Sequence, residues 1–258
     1  IHYEGKNRIA DMDSRMYPSI ESMKQQDEEK SDKPFFLCEY AHAMGNAIGN
    51  LDEYWDYIEN HSCRMIGGCI WDWVDQSFRE VDAHGKWNWA YGGDYGPENI
   101  PSFGNFCCNG LVNAVREPHP HLKEVKKAYQ YIKCTLKDSK NLTIAIKNWY
   151  DFTNLNAYVL KWSIVGDNGK MLAKGEQSIE VAPHATTEVS LGGVRLPRNI
   201  REAYLNLSWT PKKKSAFIGT DDEVAYDQFV LPAKVSIVRH WLNCLKNRKF
   251  RLIRKPEH

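Results

Sequence analysis

The chain has 258 residues, enough for one large domain or two ordinary ones, and its apolar fraction of 42% is sufficient for a packed core. Charged residues make up 26% and the net charge is +1, so neither a disordered chain nor a nucleic-acid partner is indicated. The seven cysteines lack metal-type spacing and form an odd set, so we expect buried, reduced thiols rather than a disulfide framework.

Residues 1 to 125 alternate between strand and helix patterns. Phe35–Cys38 is an apolar run typical of a buried strand, and Met65–Trp71 is a second one. Between them, Asn50–Asn60 places apolar residues at helical spacing. Strand, helix and strand in this order predict a βαβ unit with a parallel sheet. The stretch Trp87–Asn109 shows no clear period and predicts a long functional loop.

A period-two pattern replaces the mixed pattern from about residue 141 to residue 231. Tyr158–Ile164 alternates in this way and ends at the hairpin-type turn Gly166–Gly169, and Leu205–Trp209 alternates likewise. Several short strands with turn signals between them indicate an antiparallel β-sandwich. The boundary between the two patterns falls near Lys123–Lys137.

The last 25 residues fit neither pattern. Eight Lys or Arg residues and one Glu lie between Lys234 and His258, so this tail is strongly basic. One apolar stripe is compatible with a terminal helix. We expect a helical or disordered tail, and a membrane-surface role is the less favoured alternative.

Glu39 is the candidate catalytic residue. It follows an apolar run directly, as a carboxylate does at the carboxyl end of a parallel strand, where parallel barrels place their chemistry. Tyr40, His42 and Asn46 follow within seven residues. For Glu39 taken alone, the alternative is a salt-bridged residue at a strand end, and for His42 taken alone a structural role is favoured.

Four segments resemble, in chain order, motifs of glycoside hydrolase family 2 β-galactosidases. Phe35–Asn46 reads FFLCEYAHAMGN and is similar to the nucleophile segment of that family. The others are Ile1–Gly5, Ile70–Gln76 and Phe106–Val112. The resemblance extends over residues 1–230, and the EYAH string beginning at Glu39 favours galactosidases over the glucuronidase branch.

The resemblance implies a fold class of α/β plus all-β. Residues 1–125 would be the C-terminal part of a (β/α)8 TIM barrel, including strands six to eight. Residues 126–232 would be an antiparallel immunoglobulin-like β-sandwich, and residues 233–258 the basic tail. The family cleaves terminal β-D-galactosides by a retaining double displacement, which requires a nucleophile and a separate acid/base carboxyl group.

The resemblance also assigns roles to individual residues. Glu39 is implied as the nucleophile, with Tyr3 as the tyrosine that hydrogen-bonds it. His42 would bind galactose hydroxyl groups, and Asn109 would reach the sugar. Trp71 would form the platform beneath it, although a core aromatic remains the alternative for this residue.

A cation site is implied in the same region. In some family members the backbone carbonyl of a phenylalanine and the side chain of an asparagine bind sodium, and Phe106 and Asn109 hold the matching positions here. The magnesium ligands of the family belong to the barrel strands before Tyr3, so no magnesium site is expected in this chain.

The family's acid/base is a Glu directly after an Asn, and this chain contains no Asn-Glu dipeptide. We therefore expect a fragment that is inactive alone. Its expected partners are a β-galactoside and either the missing N-terminal part or a second copy. The alternative is a non-catalytic carbohydrate-binding or interaction module derived from such an enzyme.

Overall fold

A computed structural model describes residues 1–193, 200 and 202–232, and the basic tail lies outside these residues. The chain divides into two units, Ile1–Tyr129 and a second that begins at Gln130. In the described part, no helix is both long enough and apolar enough to cross a membrane.

The first unit combines three helices with five strands. Its strands are β1 (Asp13–Met16), β2 (Phe35–Tyr40), β3 (Met65–Ile70), β4 (Phe78–Val81) and β5 (Trp87–Ala90). Its helices are α1 (Ile20–Asp27), α2 (Leu51–Asn60) and α3 (Leu122–Ala128), with a short 3₁₀ turn at Gly92–Tyr95.

Strands β1, β2 and β3 form a parallel sheet in that order. Phe35 and Leu37 are fully buried because alternate residues of a strand share one face. The predicted βαβ unit is therefore confirmed, with α2 as the crossover helix. Strand β2 extends two residues beyond the predicted end, so Glu39 is the penultimate residue of the strand.

The helices of this unit pack on the sheet through aromatic side chains. The Tyr40 hydroxyl accepts from Trp55 Nε1 of α2 at 2.8 Å and lies 2.5 Å from the Tyr129 hydroxyl, just after α3. The Trp55 and Tyr129 rings meet edge to face with centroids 4.7 Å apart. These contacts fix the end of β2, where Glu39 lies.

The resemblance implies that Ile1–Gly5 forms the strand that precedes β2, and this prediction was wrong. Ile1–Gly5 has no regular strand, and the neighbour of β2 is instead Asp13–Met16. The sequence of β1, Asp-Ser-Arg-Met, has no apolar run and no clear alternation, so the period gave no signal. Its strand conformation follows from pairing with β2 rather than from local propensity.

The prediction of an irregular loop over Trp87–Asn109 was also wrong in part. Strands β4 and β5 form an antiparallel hairpin. The Asp82 side chain fixes its turn by accepting from the backbone N–H groups of His84 and Lys86, each at 2.9 Å. The remainder of the segment after Tyr95 has no helix or strand.

The described residues of the second unit form two antiparallel sheets. One has the order β10-β7-β6 and the other β12-β11-β8-β9. The strands are β6 (Ile132–Asp138), β7 (Thr143–Asn148), β8 (Tyr158–Gly166), β9 (Met171–Gln177), β10 (Thr186–Ser190), β11 (Glu202–Pro211) and β12 (Ala225–Pro232), with a 3₁₀ turn at Leu155–Ala157.

Buried side chains from both sheets form one apolar cluster in this unit. The alternation predicted for β11 is confirmed, because Leu205, Leu207 and Trp209 are all buried. The predicted hairpin turn is present as well, since Gly166 N–H donates to the Lys170 carbonyl at 3.0 Å. Gly169 has a φ of +74°, which L side chains rarely adopt.

The prediction of buried thiols is confirmed for some of the described cysteines and wrong for others. Cys107 and Cys134 are buried, Cys38 and Cys108 are partly buried, and Cys63 and Cys69 are exposed. Cys38, Cys63, Cys69, Cys107 and Cys108 are free thiols. Cys69 belongs to an apolar run, but its side chain faces solvent because strand period rather than local hydrophobicity decides which face a residue occupies.

Candidate active site

Glu39 is held at the carboxyl end of the parallel sheet. It pairs in register with Met16 of β1, and its backbone carbonyl accepts from the Tyr17 N–H at 2.8 Å. The Glu39 side chain is partly buried. Ligands of α/β proteins bind at this edge of a parallel sheet, and the Glu39 carboxylate lies there.

Tyr17, rather than Tyr3, is the tyrosine beside Glu39. Partial burial of the ring, a hydrogen bond to Glu39 and the negative charge of Glu39 raise the pKa of the Tyr17 hydroxyl well above its usual range. Tyr3 lies in a segment without a strand, and 58% of it is exposed. The predicted position of the tyrosine, at the end of the strand before β2, is thus occupied by Tyr17.

His42 lies beside Tyr17 and carries a buried ring nitrogen. Its Nε2 atom finds no hydrogen-bond partner among the residues that the structure describes. The ring centroid lies 6.0 Å from that of Tyr17 and 5.3 Å from that of Phe106. A buried polar atom is normally hydrogen-bonded, so this nitrogen is suited to bind an added hydroxyl group.

Asn109 is the second residue with such an atom. The residue is 1% exposed, and its Oδ1 meets no partner within the described ranges. Its Nδ2 donates to the Phe106 carbonyl at 3.3 Å. Through Phe106, Asn109 is linked to the ring of His42, so two of the predicted sugar-binding residues lie in one neighbourhood.

Trp71 follows β3 directly and is fixed by its backbone. Its N–H donates to the Tyr40 carbonyl at 3.1 Å, and its carbonyl accepts from the Ala43 N–H at 2.7 Å. The next residue, Asp72, donates its N–H to the Asn109 carbonyl at 2.7 Å. Trp71 is partly buried, so it is not a fully enclosed core aromatic.

A buried polar cluster supports the Asn109 loop from behind. Asp75 is 7% exposed, and its Oδ1 accepts from the Gly110 N–H at 2.7 Å while its Oδ2 lies 2.8 Å from His119 Nε2. His121 Nε2 lies 2.8 Å from the Gly110 carbonyl. This cluster fixes the backbone immediately after Asn109.

No role was predicted for Asp75 or Gly110, although they lie within the motif segments Ile70–Gln76 and Phe106–Val112. A Cβ added to Gly110 would lie 2.2 Å from Asp75 N and 2.4 Å from the Val74 carbonyl carbon. Two sequence features could have indicated this contact, namely Asp75, four residues after Trp71, and the Pro-His-Pro string around His119. The pairing itself is visible only in three dimensions.

Two oxygen atoms in this loop suit a hard cation. The Phe106 carbonyl and the side-chain oxygen of Asn109 are of the ligand type that such cations prefer. If the Asn109 amide were rotated by half a turn, its oxygen would take the place of Nδ2, 3.3 Å from the Phe106 carbonyl oxygen. Among the described residues, no group of three or more His, Cys, Asp or Glu side chains converges.

Two cysteines lie in the sequence between Phe106 and Asn109. The Cys107 and Cys108 sulfur atoms are 3.8 Å apart. Burial, and next the hydrogen bond to Cys107, raise the pKa of Cys108 to about 11. The Cys108 thiol is therefore protonated at neutral pH in the reduced protein.

Family models match both units of the chain. "Glycosyl hydrolases family 2, TIM barrel domain" matches residues 1–134, and "Beta-galactosidase, domain 4" matches residues 144–232. A Priestia megaterium β-galactosidase is 40% identical over 244 residues, which are 92% of this chain and 23% of that protein. A Klebsiella pneumoniae β-galactosidase is 38% identical over 208 residues, covering 80% of this chain and 20% of that protein.

Among solved structures, a β-glucuronidase from Bacteroides uniformis matches with a TM-score of 0.32 and 15% identity. The match covers 89% of this chain and 26% of that one. The chain thus spans about a fifth to a quarter of the length of the curated relatives. Because the TIM-barrel family model covers more than half of its 258 residues, this chain belongs to glycosyl hydrolases family 2.

Proposed function

We propose that this chain carries the nucleophile side of a retaining β-galactoside hydrolase site. The observation that carries the proposal is the environment of Glu39 at the end of β2. Close to it, His42 Nε2 and Asn109 Oδ1 are buried and find no partner in the part of the chain described. Such atoms are suited to the hydroxyl groups of a sugar. The relatives named β-galactosidase supply the substrate class.

The proposal assigns the parallel sheet of the first unit to the C-terminal part of a (β/α)8 barrel. The order of β1, β2 and β3 and the location of Glu39 at their carboxyl end support this assignment. It also assigns the second unit to an immunoglobulin-like β-sandwich. Its two antiparallel sheets with one shared apolar cluster support that assignment.

In the proposed reaction the Glu39 carboxylate attacks the anomeric carbon of galactose. The bond from that carbon to the leaving oxygen breaks, and a separate carboxylic acid protonates this oxygen. The resulting galactosyl ester is then cleaved by water, which the same second group deprotonates. Tyr17 orients the Glu39 carboxylate by donating its hydroxyl proton to a hydrogen bond.

The sugar is held by three further residues in this proposal. His42 Nε2 and the Asn109 side chain bind hydroxyl groups, and the Trp71 ring forms a platform for the C–H face of the sugar. All three are fixed by the framework described above. The hydrogen bond from Asp72 N–H to the Asn109 carbonyl links the platform to the Asn109 loop.

The acid/base is not a residue of this chain in our proposal. The sequence has no Asn-Glu dipeptide, and the nearby aspartates have structural partners. Asp75 bonds Gly110 and His119, Asp94 accepts from the Tyr91 N–H at 2.8 Å, and the Asp72 carboxylate accepts from Gln76 Nε2 at 3.1 Å. We therefore expect the isolated chain to lack turnover.

A sodium ion fits the residues at the Asn109 loop. Phe106 would bind it through the backbone carbonyl and Asn109 through its side-chain oxygen. Such an ion would supply a positive charge to orient a sugar hydroxyl group. The rotated Asn109 amide supports this assignment, because its oxygen would lie 3.3 Å from the Phe106 carbonyl oxygen.

The decisive experiment separates the nucleophile from the missing acid. A 2-deoxy-2-fluoro-β-galactoside with a dinitrophenolate leaving group needs no protonation, so Glu39 in this chain should attack it and remain labelled. Mass spectrometry of peptides would locate the label. The Glu39→Gln variant should stay unlabelled, whereas Glu29→Gln, which changes an exposed glutamate, should label like the wild type. Label on another residue, or equal labelling of Glu39→Gln, would refute the assignment.

The second candidate is a non-catalytic carbohydrate-binding or interaction module. It is favoured by a cleft of about 490 Å³ on the second unit, with Lys161, Lys174, Glu176 and Asn206 among its lining residues. A module of this kind would bind galactosides without becoming labelled. Saturable galactoside binding that survives in Glu39→Gln, with no labelling of the wild type, would support this alternative.

A further inference from the structure

The adjacent residues Cys107 and Cys108 have no task in the proposed hydrolysis. Their thiol sulfurs are 3.8 Å apart in the reduced chain. Cys107 is 4% exposed and Cys108 is partly buried, so only the second is open to a reagent in solvent. The pair lies between Phe106 and Asn109, which both belong to the candidate sugar site.

The geometry of neighbouring residues allows these sulfurs to be joined. A disulfide requires the sulfurs to approach to about 2.05 Å, so they would have to close by about 1.8 Å. Adjacent Cα atoms are about 3.8 Å apart, below the usual range of about 4.4–6.8 Å for a disulfide. The bond would be strained, and strained disulfides are readily reduced again.

The surrounding contacts direct the resulting backbone change towards the sugar site. On the carboxyl side the loop is anchored, since Gly110 donates to Asp75 at 2.7 Å and has no room to move against it. Phe106, on the other side, is 52% exposed and therefore freer to shift. Its ring contacts His42, and its carbonyl accepts from Asn109.

We propose that Cys107 and Cys108 form a reversible oxidation site, in which closure to a vicinal disulfide displaces Phe106 from His42 and Asn109 and so alters the sugar site. The oxidant class is a small-molecule disulfide such as oxidised glutathione. The thiol chemistry stands independently of the hydrolase assignment. Only the consequence for sugar binding rests on the proposed function.

The oxidation proceeds by two exchange steps. The Cys108 thiol first loses its proton, which its pKa of about 11 makes infrequent at neutral pH, so this step is slow and speeds up as the pH rises. The thiolate then attacks one sulfur of the small disulfide, which forms a mixed disulfide and releases one small thiol. The Cys107 sulfur then attacks the Cys108 sulfur and releases the second small thiol. The protein loses two electrons and two protons, and the small disulfide is reduced to two thiols.

Mass spectrometry tests the covalent step on the purified chain. After incubation with oxidised glutathione and blocking of remaining thiols, trypsin releases Trp87–Arg116, which contains Cys107 and Cys108 and no other cysteine. We expect this peptide to be two hydrogen atoms lighter than its reduced form and unblocked. Cys108→Ser should lose this product, whereas Cys63→Ser, which removes an exposed lone thiol, should retain it. A peptide that carries only glutathione, or that is linked to another cysteine, overturns the proposal.

Proton NMR tests the coupling to the sugar site in the same samples. The His42 imidazole resonance, assigned by its loss in His42→Gln, should shift when the disulfide forms, because the Phe106 ring lies beside it. Dithiothreitol should restore the original position. The comparison itself uses wild-type protein in two redox states, and His42→Gln serves only to assign the resonance. A disulfide that forms without moving this resonance overturns the coupling.

Discussion

The Tyr17 hydroxyl and the Glu39 carboxylate form the central polar pair of the candidate site. The raised pKa of Tyr17 keeps its hydroxyl protonated at neutral pH, so it remains a donor to the carboxylate. A carboxylate that accepts a hydrogen bond from a neutral donor is held in a fixed orientation, which a nucleophile requires. The pair joins two neighbouring strands, since Tyr17 follows β1 and Glu39 lies in β2.

Removal of the Tyr17 hydroxyl should slow the nucleophile. In Tyr17→Phe we expect labelling of Glu39 by the activated fluoro-galactoside to fall by about tenfold to a hundredfold, the effect of one lost hydrogen bond to a charged group. The matched control is Tyr3→Phe, which should label at the wild-type rate. The reverse order of effects would restore Tyr3 as the tyrosine that serves the nucleophile.

Gly110 should tolerate no side chain. The atoms that a Cβ would meet, Asp75 N and the Val74 carbonyl carbon, belong to the backbone and cannot rotate away. We expect Gly110→Ala to lower the free energy of unfolding of the first unit by about 1–3 kcal/mol, measured by urea denaturation. Gly49→Ala is the control, because nothing lies within 4 Å of its added methyl group. Equal stability of the two variants would contradict the packing described.

At the scale of elements, hydrogen bonds and ion pairs connect the helices of the first unit. The Tyr57 hydroxyl of α2 donates to Asp27 Oδ2 of α1 at 2.9 Å. Arg64, just before β3, donates to the Asp13 carboxylate of β1 at 2.7 Å and to the Lys33 carbonyl before β2 at 3.0 Å. These contacts hold the helices and the sheet in register, so they support the strand ends that carry Glu39 and Tyr17.

The link from Tyr57 to Asp27 predicts a specific dependence on pH. Burial, and next the hydrogen bond to Asp27, raise the pKa of Tyr57 to about 12. A tyrosine whose pKa is raised on folding stabilises the folded state fully below about pH 10, which is the pKa of an unfolded tyrosine. This contribution is lost as the pH rises through 12. The wild type should therefore exceed Tyr57→Phe in stability at pH 8, by about 1.5–3 kcal/mol, and this margin should shrink above pH 10.

Urea denaturation at several pH values, fitted with one transition for each unit, measures this margin. Tyr3→Phe serves as control, because an exposed tyrosine should show no such margin at any pH. If the difference in free energy of unfolding between wild type and Tyr57→Phe stays constant from pH 8 to pH 11.5, the Tyr57 proton does not contribute to stability.

The periodicity of the sequence predicts α2 correctly but does not predict β1, and this difference has a physical reason. Helix α2 has its own amphipathic period, so the sequence alone predicts it within one residue. Strand β1 has four residues without a period and becomes a strand by pairing with β2. The hairpin of β4 and β5 was hidden for a related reason, because Trp87–Ala90 has only four residues and its short alternation does not stand out from a segment rich in aromatic residues.

At the scale of the whole molecule, we propose that the chain associates with other polypeptide through its parallel sheet. A three-stranded sheet has two edge strands, and unpaired strand edges bind further strands. Exposed apolar side chains lie on or beside these strands, including Met16 at 42% and Ile66 at 58% exposure. The partner would be the remainder of a longer enzyme or a second copy of the chain.

Self-association should be visible by size-exclusion chromatography with light scattering. We expect the apparent mass at micromolar concentration to exceed that of the 29.8 kDa monomer and to fall on dilution. Ile66→Lys should weaken association, because a charge on a sheet face disfavours pairing and stacking. Val230→Lys, at an equally exposed position of the second unit, should not. A single monomer peak at all concentrations would count against this proposal.

The sequence by itself determined the family, the parallel and antiparallel halves of the chain and the position of Glu39 near a strand end. These features follow from local period and from contiguous motifs, which a chain carries without being folded. Tertiary structure decided which tyrosine meets Glu39 and where the unpaired atoms of His42 and Asn109 lie. It also decided that Asp75 supports Gly110 across a separation of 35 residues. Contacts between residues far apart in sequence depend on the packing of whole elements, and no local pattern encodes them.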